Sequence, residues 1–360
     1  MSFENIIGHR EVVENLKNRL RQQRFHHAIM FYGPAGIGKR TLALEFIKAI
    51  NCKDSSDANP CDNCNNCKWI TEYTHPDLFI ITNGMRAEYL QLNKGSSAKG
   101  RNAASEDSDG LERASKREIS IDRIRYLEEV IYTRPVEGKY KVIFIIDAES
   151  LNKSSANAFL KTLEEPPPQT LIIMTSSYLG MVPVTIRSRI EKIRLNPLSD
   201  DEMKRLLDER LNYSSKYMDV IIRLLNGGID RDIISIDDES IGEYLDIIRQ
   251  FVLSDRISFD DIVDIAGVLT NSPNREEREL RIGFFFDLLR ALMLDILLDR
   301  NRGVWKEMFE VKRRITFDMI EDLNRIAVFM KVSQGFYCNS AIGIKSELLR
   351  YTRLWNMLSA

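Results

Sequence analysis

The sequence predicts an α/β fold, in which a parallel sheet is flanked by helices, followed by an all-helical half. In the first half, short apolar runs alternate with amphipathic stretches, which is the pattern of strand–helix–strand units. A glycine-rich loop follows the first apolar run, as phosphate-binding loops do. After Pro197 the apolar residues recur at helical spacing only. Because single cores seldom exceed about 200 residues, we expect the 360 residues to form two or three domains.

Five apolar runs are the predicted strands, at residues 28–32, 78–82, 142–146, 171–175 and 192–195. Helical patterns lie between them, as at residues 41–50 and 121–131. The helices predicted for the second half are 200–211, 216–225, 241–253 and 284–298. Segment 94–116 is rich in Ser, Gly, Ala and Asp, so we predict a mobile insertion there.

The composition is that of a soluble globular chain, with 44% hydrophobic and 29% charged residues. Lys and Arg number 51 against 53 Asp and Glu, so nucleic-acid binding would need a local basic groove. The first residues show no signal peptide. The most apolar stretch, 282–298, is interrupted by Asp287, Arg290 and Asp295, so we expect no membrane span. We therefore expect a soluble, cytoplasmic protein.

The run Gly33–Thr41 has the spacing of a P-loop, in which a glycine and four residues precede Gly-Lys. Gly33, Gly36 and Gly38 allow backbone N–H groups to wrap phosphate oxygens, and the following helix adds positive potential. Lys39 would reach the β- and γ-phosphates. The loop is predicted to bind ATP or ADP, and a chance glycine-rich turn is the alternative.

Two positions depart from the pattern of a hydrolysing enzyme. The residue after the lysine usually binds Mg²⁺ through a hydroxyl, but it is Arg40, and Thr41 lies about 100° further around the helix. Asp147 ends a buried strand and is the expected Walker B aspartate, with a strand-capping role as the alternative. Ala148 replaces the glutamate expected next, and Glu149 should point the other way. We predict nucleotide binding with weakened Mg²⁺ binding and little or no hydrolysis.

Four of the five cysteines, Cys52, Cys61, Cys64 and Cys67, lie within one short polar segment. Two overlapping C-x-x-C steps and a fourth thiolate can enclose a tetrahedral Zn²⁺. Because all four coordination positions would be filled, the zinc would be structural. Disulfides and an iron–sulfur cluster are the alternatives, and Cys338 is predicted to be packed and unliganded.

Several arginines are candidates for contacts with other molecules. Arg189 follows the fourth predicted strand and could act as an arginine finger at a neighbour's nucleotide, or be a plain surface arginine. Arg123, Arg125 and Arg134 could line a DNA-tracking face, or be a solvated helix face.

Together these motifs resemble the AAA+ clamp-loader family of bacterial DNA polymerase III, and within it the delta-prime subunits. The resemblance rests on these motifs: IIGH at 6–9, the P-loop, the four-cysteine insert, RPVEGKYK at 134–141, Asp147, SANAFLKTLEEPP at 155–167 and the pair Ser188-Arg189. Ile190 stands where the family has a cysteine after that pair. The resemblance covers residues 1 to about 197 well, and the remainder by architecture only.

The resemblance implies three domains. They are an AAA+ P-loop domain over 1–197 with its zinc module at 52–67 and its insertion at 94–116, a helical lid over 198–238, and a helical collar over 239–360 for oligomerisation. Residues 227–231 look like the sensor element of the lid, which would place Arg231 at the nucleotide; a simple helix boundary is the alternative.

The resemblance also implies a role in DNA replication. Gamma/tau and delta subunits would be partners in a pentameric ring, which acts on the sliding clamp and primed DNA. Delta-prime subunits often lose the P-loop hydroxyl and the Walker B glutamate, so Arg40 and Ala148 favour a stator that donates Arg189 to a neighbour. A catalytically active gamma/tau-like ATPase is the alternative.

Overall fold

The structure is a computed structural model that describes residues 2–82, 119, 121–253, 259–270 and 274–297. The chain divides into two compact units, the first formed by Met1–Leu206 with Gly227–Ile229 and the second by the remaining residues. The predicted insertion at 94–116, Cys338 and the collar beyond residue 297 lie outside the described residues. The domain boundaries at 197 and 238 stay predictions.

The first unit is built on a five-stranded sheet in which every neighbouring pair is parallel. The strands are β1 (Ala28–Tyr32), β2 (Leu78–Ile81), β3 (Lys141–Ile145), β4 (Thr170–Ser176) and β5 (Glu191–Arg194), in the order β2-β3-β4-β1-β5. The five predicted strands are confirmed. Every residue of β3 and β4 is buried, which explains why these strands are continuous apolar runs without alternation.

Helices cover both faces of this sheet. They are α1 (Arg10–Arg21), α2 (Lys39–Asn51), α3 (Asn65–Thr71), α4 (Ile121–Ile131), α5 (Lys153–Glu164) and α6 (Val184–Arg187). Alternate residues of β1 enter two different cores, since Phe31 packs with Phe46 of α2, whereas Met30 packs with Phe159 of α5. The carboxyl ends of the strands therefore lie between two helical layers. Helix α7 (Asp200–Leu211) follows β5.

The second unit is helical, and none of its described residues forms a strand, as predicted. Its helices are α8 (Met218–Leu225), α9 (Arg231–Ile234), α10 (Asp238–Leu253), α11 (Phe259–Thr270) and α12 (Arg275–Leu297). Helix α12 begins at Arg275, earlier than the predicted residue 284, because its first turns are charged and gain from pairs such as Glu277–Arg281 at 2.7 Å.

The apolar stretch within α12 is not a membrane-spanning segment. Asp295 is fully buried there, and its carboxylate accepts a hydrogen bond from Nε of Arg223 at 2.9 Å. A buried carboxylate paired in this way belongs to a protein core. Among the described residues, no helix is long and apolar enough to cross a bilayer.

Candidate nucleotide site, zinc module and exposed arginine

The glycine-rich loop lies at the carboxyl ends of the central strands. It connects the end of β1 to Lys39, the first residue of α2, which is the predicted strand–loop–helix arrangement. The backbone N–H of Gly33 donates to the carbonyl oxygen of Ser176 in β4 at 3.2 Å. In parallel sheets this edge, beside a helix N-terminus, is where phosphate groups bind.

The side chain of Lys39 is folded into the loop. Its Nζ donates to the carbonyl oxygens of Gly33 at 2.8 Å and Pro34 at 2.5 Å, and the residue is only 7% exposed. Burial lowers the pKa of Lys39, while the negative charges of Glu149 and Asp147 oppose that change. The ammonium is therefore held among carbonyl oxygens that phosphate oxygens can replace.

Asp147 lies beside the P-loop, as predicted for a Walker B aspartate. Its backbone N–H donates to Oγ1 of Thr175 at 3.3 Å, which ties it to the end of β4. Burial raises the pKa of Asp147 and Glu149 adds to this, whereas Lys39 and Arg40 lower it. Two basic and two acidic groups therefore interact electrostatically at this edge.

The structure corrects the sequence argument about Glu149. Strand alternation does not apply there, because Asp147 has a left-handed backbone with φ +57° and residues Ala148–Ser150 form a 3-10 turn. Ala148 is fully buried in the core, whereas Oε1 of Glu149 accepts a hydrogen bond from the backbone N–H of Ser177 at 2.9 Å. Oε2 of Glu149 is buried without a hydrogen-bond partner among the described residues. Glu149 thus lies at the site that the alternation argument excluded.

Arg40 and Thr41 have different surroundings at the start of α2. Thr41 is exposed, whereas Arg40 is half-buried and its guanidinium carbon lies 5.0 Å from the ring centroid of Tyr73. This distance is typical of a cation–π contact. Tyr73 follows α3 and belongs to no motif in the sequence, so no pattern indicated its role.

The segment Gly227–Ile229 contacts the P-loop within the first unit. The backbone N–H of Ile229 donates to the carbonyl oxygen of Gly36 at 3.0 Å. A Cβ atom on Gly36 would lie 2.2 Å from the carbonyl oxygen of Ile229, and one on Gly228 would lie 2.3 Å from that of Ala35. Glycines on both segments therefore permit direct backbone contact, which the sequence pattern alone did not indicate.

Replacing Gly36 with alanine is expected to lower the free energy of unfolding of the first unit by about 3 kcal/mol, from left-handed backbone strain and steric overlap together. Gly38 is the matched control. Its φ is also positive, at +91°, but a Cβ atom at this position would have no described atom within 4 Å beyond its own helix and chain neighbours. The corresponding loss for Gly38→Ala is about 1 kcal/mol, from backbone strain alone. Urea unfolding measures both, and equal losses would contradict the proposed close contact.

His9, which precedes the P-loop in the sequence, also contacts it. Its Nε2 lies 2.8 Å from the carbonyl oxygen of Ile37, to which it donates in the tautomer protonated at Nε2. The IIGH motif at 6–9 marked the family resemblance but did not indicate this contact. The loop is therefore held at neighbouring positions by segments distant in sequence.

The four predicted zinc ligands converge. Their sulfur atoms all lie within 4.8 Å of one another, and Sγ of Cys52 is 3.9 Å from Sγ of Cys64. Sulfurs around a tetrahedral zinc lie about 3.8 Å apart, given Zn–S bonds of about 2.3 Å. The four thiols are free of disulfides. The donor set and spacing fit a structural Zn²⁺, with Cys61 and Cys67 completing the tetrahedron.

The thiols differ in acidity. Burial would raise the pKa of Cys64, but hydrogen bonds from the backbone N–H groups of Lys53 and Cys67 and from neighbouring thiols lower it to about 6. Burial raises the pKa of Cys67 and of Cys52. One thiolate therefore forms easily, and a cation would stabilise the thiolate forms of the other sulfurs.

The cysteine module is attached directly to the P-loop helix. Cys52 follows the last residue of α2, and Nζ of Lys48 in α2 contacts Oδ1 of Asp62 at 2.6 Å and Oε1 of Glu45 at 2.8 Å. Asn66 of α3 is buried and donates from Nδ2 to the carbonyl oxygen of Asn51 at 2.8 Å. The module therefore fixes the far end of the helix whose first turn forms the P-loop.

Arg189 lies just after α6 and is partly exposed. Its Nε donates to Oε1 of Glu164 at 2.5 Å, and its Nη1 donates to the carbonyl oxygen of Thr185 at 3.0 Å. The preceding segment exposes three large apolar side chains, with Tyr178, Met181 and Val184 each exposed by 65–68%. A partly exposed arginine that follows a segment with exposed apolar side chains suits contact with another molecule. Sequence motifs predicted Arg189 but not its partner Glu164.

Of the remaining predicted arginines, Arg123 and Arg125 belong to α4, Arg134 follows that helix and Arg231 begins α9. Arg231 is the exposed first residue of α9 in the second unit, and its predicted role at the nucleotide stays a prediction. Arg125 of α4 and Arg134 are exposed, whereas the side chain of Arg123 lies outside the described set. The prediction of a DNA-tracking face stays untested.

A parallel sheet with a P-loop at its carboxyl edge and an aspartate beside it defines the class of this protein as a P-loop AAA+ fold. Residues 8–199 match the family described as DNA polymerase III, delta subunit. This match spans more than half of the chain, so the chain belongs to this family of clamp-loader AAA+ proteins.

Its curated relatives are subunits of DNA polymerase III. It is 29% identical over 252 residues to subunit tau of Bacillus subtilis, covering 69% of this chain and 39% of that protein. It is 29% identical over 245 residues to subunit tau of Escherichia coli, covering 67% of this chain but 33% of that one. It is 27% identical over 288 residues to subunit gamma of Buchnera aphidicola subsp. Baizongia pistaciae, covering 79% of this chain and 69% of that protein. This chain thus spans about a third of the tau proteins.

Among solved structures, the chain is similar to a DNA polymerase III gamma subunit-related protein from Thermotoga maritima. It is 16% identical, with a TM-score of 0.40, and the alignment covers 96% of this chain and 99% of that one.

Proposed function

We propose that this chain is a delta-prime-like subunit of the DNA polymerase III clamp loader. It acts as a stator that helps to load the sliding clamp onto primed DNA during replication, with weak or no ATP hydrolysis of its own. The observation that carries the proposal is a formed P-loop that lacks two groups needed for hydrolysis. Arg40 replaces the Mg²⁺-binding hydroxyl, and buried Ala148 replaces the adjacent glutamate.

The P-loop would hold ATP or ADP. Backbone N–H groups of Gly33, Gly36 and Gly38 would contact the phosphates, and Lys39 would exchange its carbonyl partners for phosphate oxygens. The position of Asp147 beside Lys39 supports this site, and Arg231 of the lid would approach the nucleotide. A four-cysteine Zn²⁺ would serve only to hold the module at residues 52–67.

Arg189 would act on a neighbouring subunit. Its guanidinium is partly exposed, and the segment that precedes it exposes Tyr178, Met181 and Val184, so docking of a partner on this segment would bring Arg189 towards the partner's nucleotide. There it would stabilise the charge on the transferring phosphoryl group. The partners would be gamma/tau and delta subunits in a pentameric ring, joined through the collar over 239–360, with the lid over 198–238.

One observation favours an alternative, a gamma/tau-like chain that hydrolyses ATP itself. Glu149 interacts electrostatically with both Lys39 and Asp147, and one of its carboxylate oxygens is buried without a hydrogen-bond partner among the described residues. A carboxylate placed there could orient an attacking water. Its other oxygen is bound to the N–H of Ser177, which limits its movement.

The purified chain is expected to bind nucleotide but to turn over ATP at a rate close to background. The reason is that neither the Mg²⁺-binding hydroxyl nor the adjacent glutamate is present. Equilibrium binding and steady-state phosphate release measure the two properties, with Lys39→Ala as the variant that should lose nucleotide binding. Robust Mg²⁺-dependent hydrolysis that is lost in both Lys39→Ala and Glu149→Gln would instead establish the active-ATPase alternative.

A further inference from the structure

We propose that the guanidinium of Arg40 takes the place of Mg²⁺ in this P-loop, so that the loop binds a nucleoside di- or triphosphate without a divalent cation. The inference rests on the proposed nucleotide binding and goes beyond it, because it assigns a counter-ion to the phosphates. Four properties of the site support it: the position of Arg40, the contact that holds it, the local charge and the chemistry of the guanidinium.

The position of Arg40 is that of the missing hydroxyl. It directly follows Lys39 in the first turn of α2, where the P-loop Ser or Thr would bind Mg²⁺. The next hydroxyl, on Thr41, is exposed, whereas Arg40 is half-buried. At this position the chain therefore offers a cation in place of a cation ligand.

The side chain of Arg40 is held in place before any ligand binds. Its guanidinium carbon lies 5.0 Å from the ring centroid of Tyr73. Tyr73 is fixed in turn, because its backbone N–H donates to the carbonyl oxygen of Ile70 in α3 at 3.2 Å. Helix α3 carries Cys67 and begins directly after Cys64, so Tyr73 follows a helix that belongs to the cysteine module.

The acidic side chains of the site are already matched by two basic side chains without Mg²⁺. A P-loop usually offers one lysine, and Mg²⁺ offsets the rest of the phosphate charge. Here Lys39 and Arg40 both interact electrostatically with Asp147, so two cationic side chains already face the two carboxylates of Asp147 and Glu149. A divalent cation bound by Asp147 would meet repulsion from both side chains in a partly desolvated site.

The guanidinium can do the work of the metal in binding. It is charged at every physiological pH and can donate two parallel hydrogen bonds to one phosphate. It cannot polarise an attacking water as Mg²⁺ does, so the substitution retains nucleotide binding and removes a catalytic component. The same residue therefore explains how the P-loop can bind nucleotide while hydrolysis is weak.

Calorimetric titration of the full chain with ATP and with ADP, in excess EDTA and in excess Mg²⁺, tests the inference. We expect the affinity in EDTA to equal or exceed that in Mg²⁺. In Arg40→Thr, which restores the hydroxyl, we expect affinity in EDTA to fall by about 10- to 100-fold, the usual effect of losing hydrogen bonds to a charged group. Added Mg²⁺ should recover part of that loss in the variant.

The matched control is Arg24→Thr, which makes the same change at an exposed arginine in the same unit and should bind like the parent chain. Thermal unfolding without nucleotide shows whether each variant is folded. Wild-type binding that requires Mg²⁺ would overturn this inference and leave the proposed nucleotide binding intact. An Arg40→Thr variant that binds as tightly in EDTA as the parent would also overturn it. No binding under either condition would overturn both.

Discussion

Replacing Cys64 with serine is expected to remove zinc and to lower the free energy of unfolding of the first unit by about 3 kcal/mol. A ligand that binds only the folded chain adds about 2.7 kcal/mol to the free energy of unfolding when its free concentration is about 100 times its dissociation constant, and loss of the zinc removes this contribution. Cys64 has the most acidic thiol described, with a pKa lowered to about 6, and it also precedes α3. Its loss removes one of the four ligands, whereas serine remains a favourable residue at the start of that helix.

Metal analysis and urea unfolding of the reduced chain test this result. We expect one zinc per chain in the parent and almost none in Cys64→Ser. The control is Cys338→Ser, because the sequence predicts Cys338 to be unliganded. Reduced parent protein without zinc would exclude the zinc site, and equal destabilisation by the two substitutions would show that Cys64 has no special role.

The module has a consequence for the nucleotide site. Lys48 joins Asp62 of the module to Glu45 of α2, and α2 begins at Lys39 of the P-loop. Tyr73, which contacts Arg40, follows the helix that carries Cys67. The module is thus attached to the C-terminal end of α2, and the P-loop is at the N-terminal end of the same helix. Loss of zinc is therefore expected to weaken nucleotide binding as well as to lower the free energy of unfolding.

Replacing Arg189 with alanine is expected to lower ATP hydrolysis at the neighbouring site by about 10³-fold, the lower end of the usual contribution of an arginine finger. The physical reason is the loss of a positive charge from the transferring phosphoryl group. Lysine should not restore the rate, because a single ammonium cannot reproduce the geometry of the guanidinium. Single-turnover hydrolysis by the reconstituted loader is the measurement.

Assembly separates this role from a structural one. The Arg189→Ala complex should retain its native mass, because the proposed docking surface is apolar and includes Tyr178, Met181 and Val184. Arg194→Ala, at an exposed arginine of β5, is the matched control. An unchanged hydrolysis rate in an intact complex would refute the finger, and loss of assembly would assign Arg189 to the interface instead.

Much of the fold could be predicted from local sequence patterns. The five strands were predicted to within one residue at each end, because a buried parallel strand is a continuous apolar run. The start of α12 was missed, because the charged residues after Arg275 form no apolar stripe and are stabilised as a helix by side-chain pairs. The alternation argument for Glu149 failed, because Asp147 leaves the strand in a left-handed conformation.

The sequence by itself determined the α/β fold of the first unit, the P-loop and the convergence of four cysteines. These properties depend on residues close together in the chain, where spacing fixes geometry. Only the tertiary structure decided which residues surround Lys39, Arg40 and Arg189. His9 and Ile229 contact the P-loop, Tyr73 contacts Arg40, and Glu164 contacts Arg189. Each contact joins segments distant in sequence, and such contacts form when strands and helices pack around a common core, which leaves no periodic pattern in the chain.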